Sequence, residues 1–367
     1  MNNDPRKVEY LENSQQLADY CQRQGNPQSI GFDTEFLRVN TYYPKACLFQ
    51  VATTDALALI DVLTIDDLGP FLQWIHNPEI MIIMHAAGQD LELLNHLCGR
   101  LPNNMFDTQI ANAFLQEDGQ LGYAGLVEQR LEIALDKSQS RTDWSRRPLS
   151  SAQQDYAIDD VRYLHQLQQL LQKDLEQNDF YQWFKQDCTA LEDLNFSPSA
   201  DDLLHRVKAK RGLNQEQLSL VRALAVWREN EAIKKNLPRK WLLADEILVA
   251  LAQAQPENRE SLQASEILSA KQLQRMGEKI LRVIETHRDT PKESWPVSGD
   301  SHTPEARNLF KRLQKEVKAT AQNLGLAPGL LASRKTLQAL IDGDPNCSLL
   351  SGWRHTELGK TLAELID

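Results

Sequence analysis

Strand signals stop at about residue 190 of this 367-residue chain, and that boundary divides what the chain can fold into. Before it, short apolar runs alternate with helical periodicity, the pattern of an α/β layer fold. Ser29–Asp33 reads as a strand, and Ala46–Thr53 with Ala56–Asp61 as a hairpin around Thr54-Asp55. Ile80–Met84 is a short apolar strand, Gly88–Cys98 a helix, and Met105–Thr108 a further strand end followed by helix through Leu115. Ser151–Leu175 reads as one long amphipathic helix. Beyond the boundary only helical segments remain, at 202–209, 214–235, 244–253, 264–268, 270–287, 303–324, 333–342 and 355–366. Phe196–Asp201 and Thr290–Asp300, rich in Pro, Ser and Gly, read as linkers. The expected organisation is an α/β domain over 1–190 and two small all-α helical bundles over 200–289 and 301–367.

The two helical blocks look like weak repeats. Asn236-Leu-Pro-Arg-Lys-Trp-Leu-Leu-Ala-Asp245 is echoed by Asn323-Leu-Gly-Leu-Ala-Pro-Gly-Leu-Leu-Ala-Ser333. In each, a long helix ends, an apolar turn follows, and Asp245 or Ser333 is placed to cap the next helix. Gly343 stands where a helix-ending glycine belongs. Trp227, Trp241 and Trp353 are expected in the cores of these blocks.

Net charge is −11, which argues against a polyanionic partner until its distribution is considered. Residues 1–190 carry 27 acidic and 14 basic side chains, whereas residues 191–367 carry 24 and 26. Local basic clusters such as Arg206-Val-Lys208-Ala-Lys210-Arg211 lie in the later part. Five scattered cysteines, with no CxxC pair, fit a reducing cytoplasm and argue against a zinc site. No signal peptide is expected from the polar start, and the longest apolar run, Ile80–Ala87, is far short of a membrane span. Gly359-Lys360-Thr361 imitates the end of a phosphate-binding loop, but Arg354 occupies the position its first glycine requires.

The acids of the first half carry the chemistry. Asp33 and Glu35 are two apart at a strand end, so both carboxylates share a face. Asp90 opens a helix after an apolar strand, where a helix-dipole role is the plain alternative. Tyr156 and Asp160 are four apart and share a helix face, whereas Asp155 and Asp159 point about 100° away from it. Asp107, at another strand end, is read as a bystander. Hard divalent cations take oxygen ligands, and two of them about 4 Å apart clamp both oxygens of an in-line phosphodiester displacement. Four acids gathered at one spot would repel one another unless cations sat among them.

The order and spacing of these residues resemble the DEDD exonucleases of the tyrosine subtype. Asp33-Thr-Glu-Phe-Leu-Arg38 with Thr41-Tyr-Tyr-Pro44, His85-Ala-Ala-Gly-Gln-Asp90-Leu-Glu and Tyr156-Ala-Ile-Asp-Asp160-Val-Arg-Tyr-Leu are similar to the three motif regions of the ribonuclease D family. Leu135–Leu149 resembles the segment before the third motif, and the helical blocks resemble tandem HRDC modules. The resemblance implies a ribonuclease-H-like α/β exonuclease domain that degrades single-stranded RNA from its 3′ end. It implies two Mg²⁺ or Mn²⁺ ions on Asp33, Glu35, Asp90 and Asp160, a water oriented by Tyr156, and transfer-RNA precursors and other small structured RNAs as substrates. His85 is read as orienting the site rather than as a ligand. Lys137, Arg141, Arg146 and Arg147 could meet RNA phosphates. Phe36, Tyr42, Tyr43 and Trp144 could stack on bases, with at least two of the four expected in the core. A DNA exonuclease with the same metals, or an inactive RNA-binding scaffold, are the alternatives. A cytoplasmic monomer is expected.

Overall fold

The computed structural model describes residues 4–116, 121–296 and 304–366. The end of the expected second linker and the start of the last block, residues 297–303, lie outside the described residues. The chain divides into two compact units: Met1–Leu37, Lys45–Leu194 and Pro304–Asp367 form one, and Arg38–Pro44 with Asn195–Thr303 form the other.

The first unit is built on a six-stranded mixed sheet. Its strands are β1 (Lys7–Leu11), β2 (Ser29–Leu37), β3 (Lys45–Ala52), β4 (Ala56–Ile60), β5 (Met81–Met84) and β6 (Met105–Asp107), in the order β1-β4-β3-β2-β5-β6. β2, β3 and β4 form an antiparallel meander, while β1 joins β4, β5 joins β2, and β6 joins β5 in parallel. Helices α1 (Ser14–Gln24), α2 (Gly69–Ile75), α3 (Gly88–Cys98), α4 (Thr108–Ala113), α5 (Tyr123–Leu131), α6 (Ser151–Arg162), α7 (Leu164–Gln177) and α8 (Tyr181–Glu192) complete the α/β part. On one sheet face Phe32, Phe49 and Phe71 pack ring to ring at 5.4–5.9 Å. On the other face α6 packs across β2, β3 and β4, burying Ala157, Ile158 and Val161 against Leu48, Ala52, Leu57 and Leu59. Gly31 lets the start of α7 approach β2, because a Cβ there would lie 3.1 Å from the Leu164 side chain.

The expected helix over 151–175 is two helices. Ser150 and Gln153 form a capping box at its start, and the break falls at Tyr163, with φ −103° and ψ 1°. The Tyr163 N–H donates to the Tyr123 hydroxyl at 3.2 Å instead of continuing the helical ladder. Periodicity carries no sign of this, since apolar spacing runs on through the break.

The second unit is all-helical: α9 (Ala200–Arg206), α10 (Gln215–Lys235), α11 (Arg239–Leu242), α12 (Asp245–Ala254), α13 (Arg259–Ala264) and α14 (Ala270–Arg288). Leu203, Leu220, Leu224, Leu248, Leu251 and Ile280 anchor its own core. The loop Arg38–Pro44 belongs to this unit. Asn236, in a left-handed conformation just after α10, accepts the backbone N–H groups of Tyr42 and Tyr43 at 3.0 and 3.1 Å. The Tyr42 hydroxyl donates to Glu229, which also pairs with Arg239 at 2.7 Å. Tyr42 and Tyr43 are therefore half-buried in packing.

The last block comprises α15 (Pro304–Leu324), α16 (Pro328–Leu331), α17 (Arg334–Ile341), α18 (Gly352–Arg354) and α19 (Lys360–Ile366). The echo seen in sequence recurs in shape, since α10–α11–α12 and α15–α16–α17 both run long, short, medium. Ser333 caps α17 as expected, accepting the Thr336 N–H at 3.0 Å. Asp245 does not cap α12. It is the first helical residue, 1% exposed, and its carboxylate takes the Arg228 guanidinium at 2.9 Å. Trp353 is buried as expected, but Trp241 is 63% exposed.

Candidate active site

Strand β2 supplies the first two acids. It runs four residues beyond the expected end, so Asp33 and Glu35 both lie within the ladder, opposite Gln50 and Leu48 of β3. A bulge follows at once: Glu35 pairs with Leu48 but Phe36 with Ala46, leaving Cys47 as the extra residue. Such a bulge bends the strand and re-aims the side chains beside it.

Asp90 comes from the first turn of α3 and is 7% exposed. The Thr34 hydroxyl of β2 donates to its carboxylate, tying the second acid-bearing element to the first. The approach to α3 depends on Asp107, the acid read from sequence as a bystander. Asp107 is 2% exposed. Its carboxylate accepts the N–H groups of Ala86 and Ala87 at 3.1 and 2.9 Å, holding the turn in which Ala86 takes φ +57°. It also caps α4 through Gln109 N–H at 2.8 Å. An acid followed by Thr and Gln after an apolar strand is a capping signal, and that is the mark by which Asp107 could have been found.

His85 lies beside this turn. Its Nδ1 is 3.0 Å from the Thr108 hydroxyl, whose proton goes to the Met84 carbonyl at 3.1 Å, so Nδ1 is the donor. Burial holds its pKa below the ordinary histidine value. Its ring meets that of Tyr123 at 5.7 Å. Tyr123, missed in the sequence, has a phenol pKa raised by burial and by the nearby charges of Asp160 and Asp33. His85 thus reaches the acids through Tyr123.

Helix α6 brings Tyr156 and Asp160. The phenol hydrogen-bonds the carboxylate, and burial with the charges of Asp160 and Glu35 raises the Tyr156 pKa, so it stays protonated. The indole of Trp144 supports the Tyr156 ring at 5.9 Å. Asp159 turns away to Arg162 at 2.7 Å, and Arg162 also binds Asp4 at 2.9 Å.

The four acids feel one another. Burial, then Asp90, Asp160 and Glu35, hold Asp33 well above the ordinary carboxylate range. Burial with Asp160 and Asp90 lifts Glu35 to about 9. Burial and the Asp159 charge lift Asp160 to about 7, against the Tyr156 hydrogen bond. Burial lifts Asp90 to about 6, against the Thr34 hydrogen bond. Among the described residues, no three His, Cys, Asp or Glu side chains close into a ready coordination shell. The donor set is carboxylate oxygen alone, which suits Mg²⁺ or Mn²⁺, ions that keep waters and share substrate phosphate oxygens.

The expected RNA-facing residues divide. Lys137, Arg141 and Arg146 are exposed, and Phe36 is half-buried. Arg146 makes a solvent-exposed ion pair with Asp143 at 3.2 Å. Arg147 is a structural residue: it bridges Asp61, the Cys47 carbonyl at 2.8 Å and the Trp144 carbonyl at 2.8 Å. Trp144 is 2% exposed, so its ring has no face left for a base, and its place is under Tyr156.

A 3′-5′ exonuclease family model matches residues 8–176, and an HRDC domain model matches residues 217–284. A ribonuclease D from Pseudomonas paraeruginosa is 33% identical over 98% of this chain and 98% of its own length. The chain belongs to the ribonuclease D family. A ribonuclease D from Haemophilus influenzae is 32% identical over 95% of this chain and 90% of its own length. The crystal structure of Escherichia coli RNase D, described as an exoribonuclease involved in structured RNA processing, superposes with a TM-score of 0.87 at 29% identity, covering 100% of this chain and 99% of that one. The catalytic core of RRP6 from Trypanosoma brucei shares the fold, with a TM-score of 0.60 at 18% identity over 78% of this chain and 81% of that one. This ribonuclease D family member is a 3′–5′ exoribonuclease with an α/β exonuclease domain and an HRDC domain. Among the described residues, no helix is long and apolar enough to cross a membrane.

Proposed function

We propose that this exoribonuclease is dependent on two divalent cations, Mg²⁺ or Mn²⁺, held by Asp33, Glu35, Asp90 and Asp160, and that it releases 5′-mononucleotides from RNA 3′ ends. The observation that carries the reading is the convergence of four acids from β2, α3 and α6 on one spot: Thr34 beside Asp33 bonds Asp90, and the charges of Asp90 and Asp160 both bear on Asp33 and Glu35. Acids gathered in this way favour cations as partners. Bound there, the cations would supply the positive charge that activates a water and stabilises the leaving 3′-oxygen.

The chain's own residues do the rest. Tyr156 keeps its phenolic proton, directed to Asp160, and offers its oxygen as a fixed acceptor to the attacking water. Asp160 and Trp144 fix the phenol from two sides. Thr34 holds Asp90, and Asp107 holds the turn that delivers it. Lys137, Arg141 and Arg146 are exposed cations for the backbone of the incoming strand, and Phe36 is the remaining candidate to stack on its bases.

The substrates on this reading are the 3′ ends of transfer-RNA precursors and other small structured RNAs, processed by a cytoplasmic monomer. The block at 304–366 is HRDC-like in helix order, although it packs into the core of the α/β part; the long–short–medium run of α15 to α17, matching α10 to α12, supports that likeness. The test is an assay on 3′- and 5′-labelled RNA and DNA with Mg²⁺, Mn²⁺ or EDTA. Mononucleotides from the 3′ end of RNA, lost in EDTA, are expected. Equal or faster cleavage of DNA, or turnover in EDTA, would overturn the reading.

A further inference from the structure

Gln50 is a polar side chain at a position that packing would give to an apolar one. It lies in β3 with 0% of its surface exposed, and neither atom of its amide has a hydrogen-bond partner. Buried side-chain amides are nearly always satisfied, so an orphan calls for an explanation.

Its surroundings are fixed by the strand. Side chains alternate along β3. Phe49 points to the face where it meets Phe32 and Phe71. Leu48 and Ala52, two residues either side of Gln50, lie in the core that includes Ala157, Ile158 and Val161 of α6. Gln50 therefore projects to the face covered by the helix that carries Tyr156 and Asp160. Its cross-strand neighbours are Leu59 on β4 and Asp33 on β2. Directly opposed residues keep their Cβ atoms about 4.5–5.5 Å apart, a gap that a glutamine side chain spans. Of these two neighbours only Asp33 can accept a hydrogen bond from an amide.

We propose that Gln50 is a positioning residue for Asp33: with divalent cations at the four acids, the Gln50 Nε2 group donates to the Asp33 carboxylate and fixes its orientation. The inference rests on the reading of Asp33 as a metal ligand. A ligating carboxylate left without an outer partner rotates, and such partners govern metal affinity. An amide suits this cluster better than the alternatives. A lysine would compete with the cations for the acids, a fifth acid would add repulsion, and an aliphatic side chain would leave Asp33 unguided.

The experiment uses the full-length protein and reads Mn²⁺ binding by calorimetry in the absence of RNA, together with the metal-free melting temperature. The variants are Gln50→Met, close in shape but without a donor, and Gln50→Leu, with Asp33→Asn as control. The expected result is an unchanged or slightly higher metal-free melting temperature, because the amide has no protein partner to lose. Mn²⁺ affinity should fall about 10- to 100-fold. Wild-type Mn²⁺ affinity in Gln50→Met, with affinity lost in Asp33→Asn, overturns the role of Gln50 alone. No Mn²⁺ binding by the wild type, or full binding by Asp33→Asn, overturns the metal reading and this inference with it. Failure of both Gln50 variants to fold also overturns it, since the amide would then be a structural requirement.

Discussion

The two helical blocks echo each other in sequence and in helix order, yet they bury themselves in different places. The block at 195–296 closes on its own core, from Leu203 to Ile284. The block at 304–366 has no such independence. Leu313, Val317, Leu337, Leu349, Trp353 and Leu362 join the same core as Phe106, Phe114, Val161 and Phe184 of the α/β part. Trp353 stacks on Trp183 of α8 at 4.8 Å and 8°, and its indole N–H donates to Asp187 at 3.0 Å. Arg354 grips the same Asp187 with two bonds, at 2.5 and 2.8 Å. Gly359 lets the turn before α19 close on the Leu349 carbonyl, where a Cβ would come within 1.9 Å. A repeated helical pattern thus describes a shape, while the residues on its outer face decide whether it is a separate module or part of its neighbour.

The largest effect should come from cutting the chain after residue 296. Removing 304–366 strips the Trp353 cover from Phe114 and Trp183, so the remaining protein should melt more than about 10 °C lower or precipitate. The fragment 195–296, expressed alone, should keep a cooperative helical melt. Circular dichroism on both tests the contrast, and a stable 1–296 beside an unfolded 195–296 would reverse it.

Next in size is Asp245→Ala, at the place in the repeat where sequence suggests a cap. It strands the buried Arg228 guanidinium, which is 5% exposed in its side chain. Losing one member of such a pair costs about 3–5 kcal/mol. Denaturant unfolding followed by hydrogen exchange at α10 should locate the loss in the helical unit.

The pH response should separate the units again. The raised pKa values mean that the folded sheet unit holds more protons than its unfolded chain, from about pH 4, the ordinary carboxylate value, up to the Glu35 value of about 9. Metal-free stability should therefore be fullest at the acid end of this window. It should fall as pH rises through the Asp90, Asp160 and Glu35 values of about 6, 7 and 9. Mn²⁺ should restore it more at pH 8 than at pH 5. Hydrogen exchange at β2 should report this change, with α10 largely indifferent. A pH-independent β2, or equal protection by Mn²⁺ at both pH values, would count against the acid cluster.

The smallest effect is at the matching position of the second block. Ser333→Ala removes a cap bond from an exposed side chain and should cost about 1 kcal/mol. The ratio between Asp245→Ala and Ser333→Ala, measured by urea unfolding, tells whether the repeat is one of backbone shape alone.

Much of the α/β part was legible because its strands are short apolar runs and its helices periodic. The acids were legible because their spacing matches the periods of strand and helix. Residues whose roles depend on what lies across the fold were not. Trp144 and Arg147 sit in a segment that reads as a basic loop, and only packing against Tyr156 and Asp61 turns them inward. Trp241 looks like core by composition, but α11 is a single turn with too little of a buried face to hold it. The break at Tyr163 depends on a hydroxyl 40 residues away in sequence. Gln50 hides within an apolar run, and its register against Asp33 appears only once β2 and β3 are paired.

The face of α6 that performs the chemistry decides whether Asp160 or Asp159 belongs to the site. Single-turnover cleavage of a 5′-labelled oligoribonucleotide with saturating Mg²⁺ measures this directly, comparing Asp160→Asn with Asp159→Asn. Asp159 is bound to Arg162 and points away from the other acids, so its variant should cleave within a few-fold of wild type. Asp160→Asn should lose at least about 10³-fold, the scale of a lost electrostatic anchor at a reacting centre. Near-wild-type cleavage by Asp160→Asn, or a greater loss in Asp159→Asn, would contradict the assignment of the site.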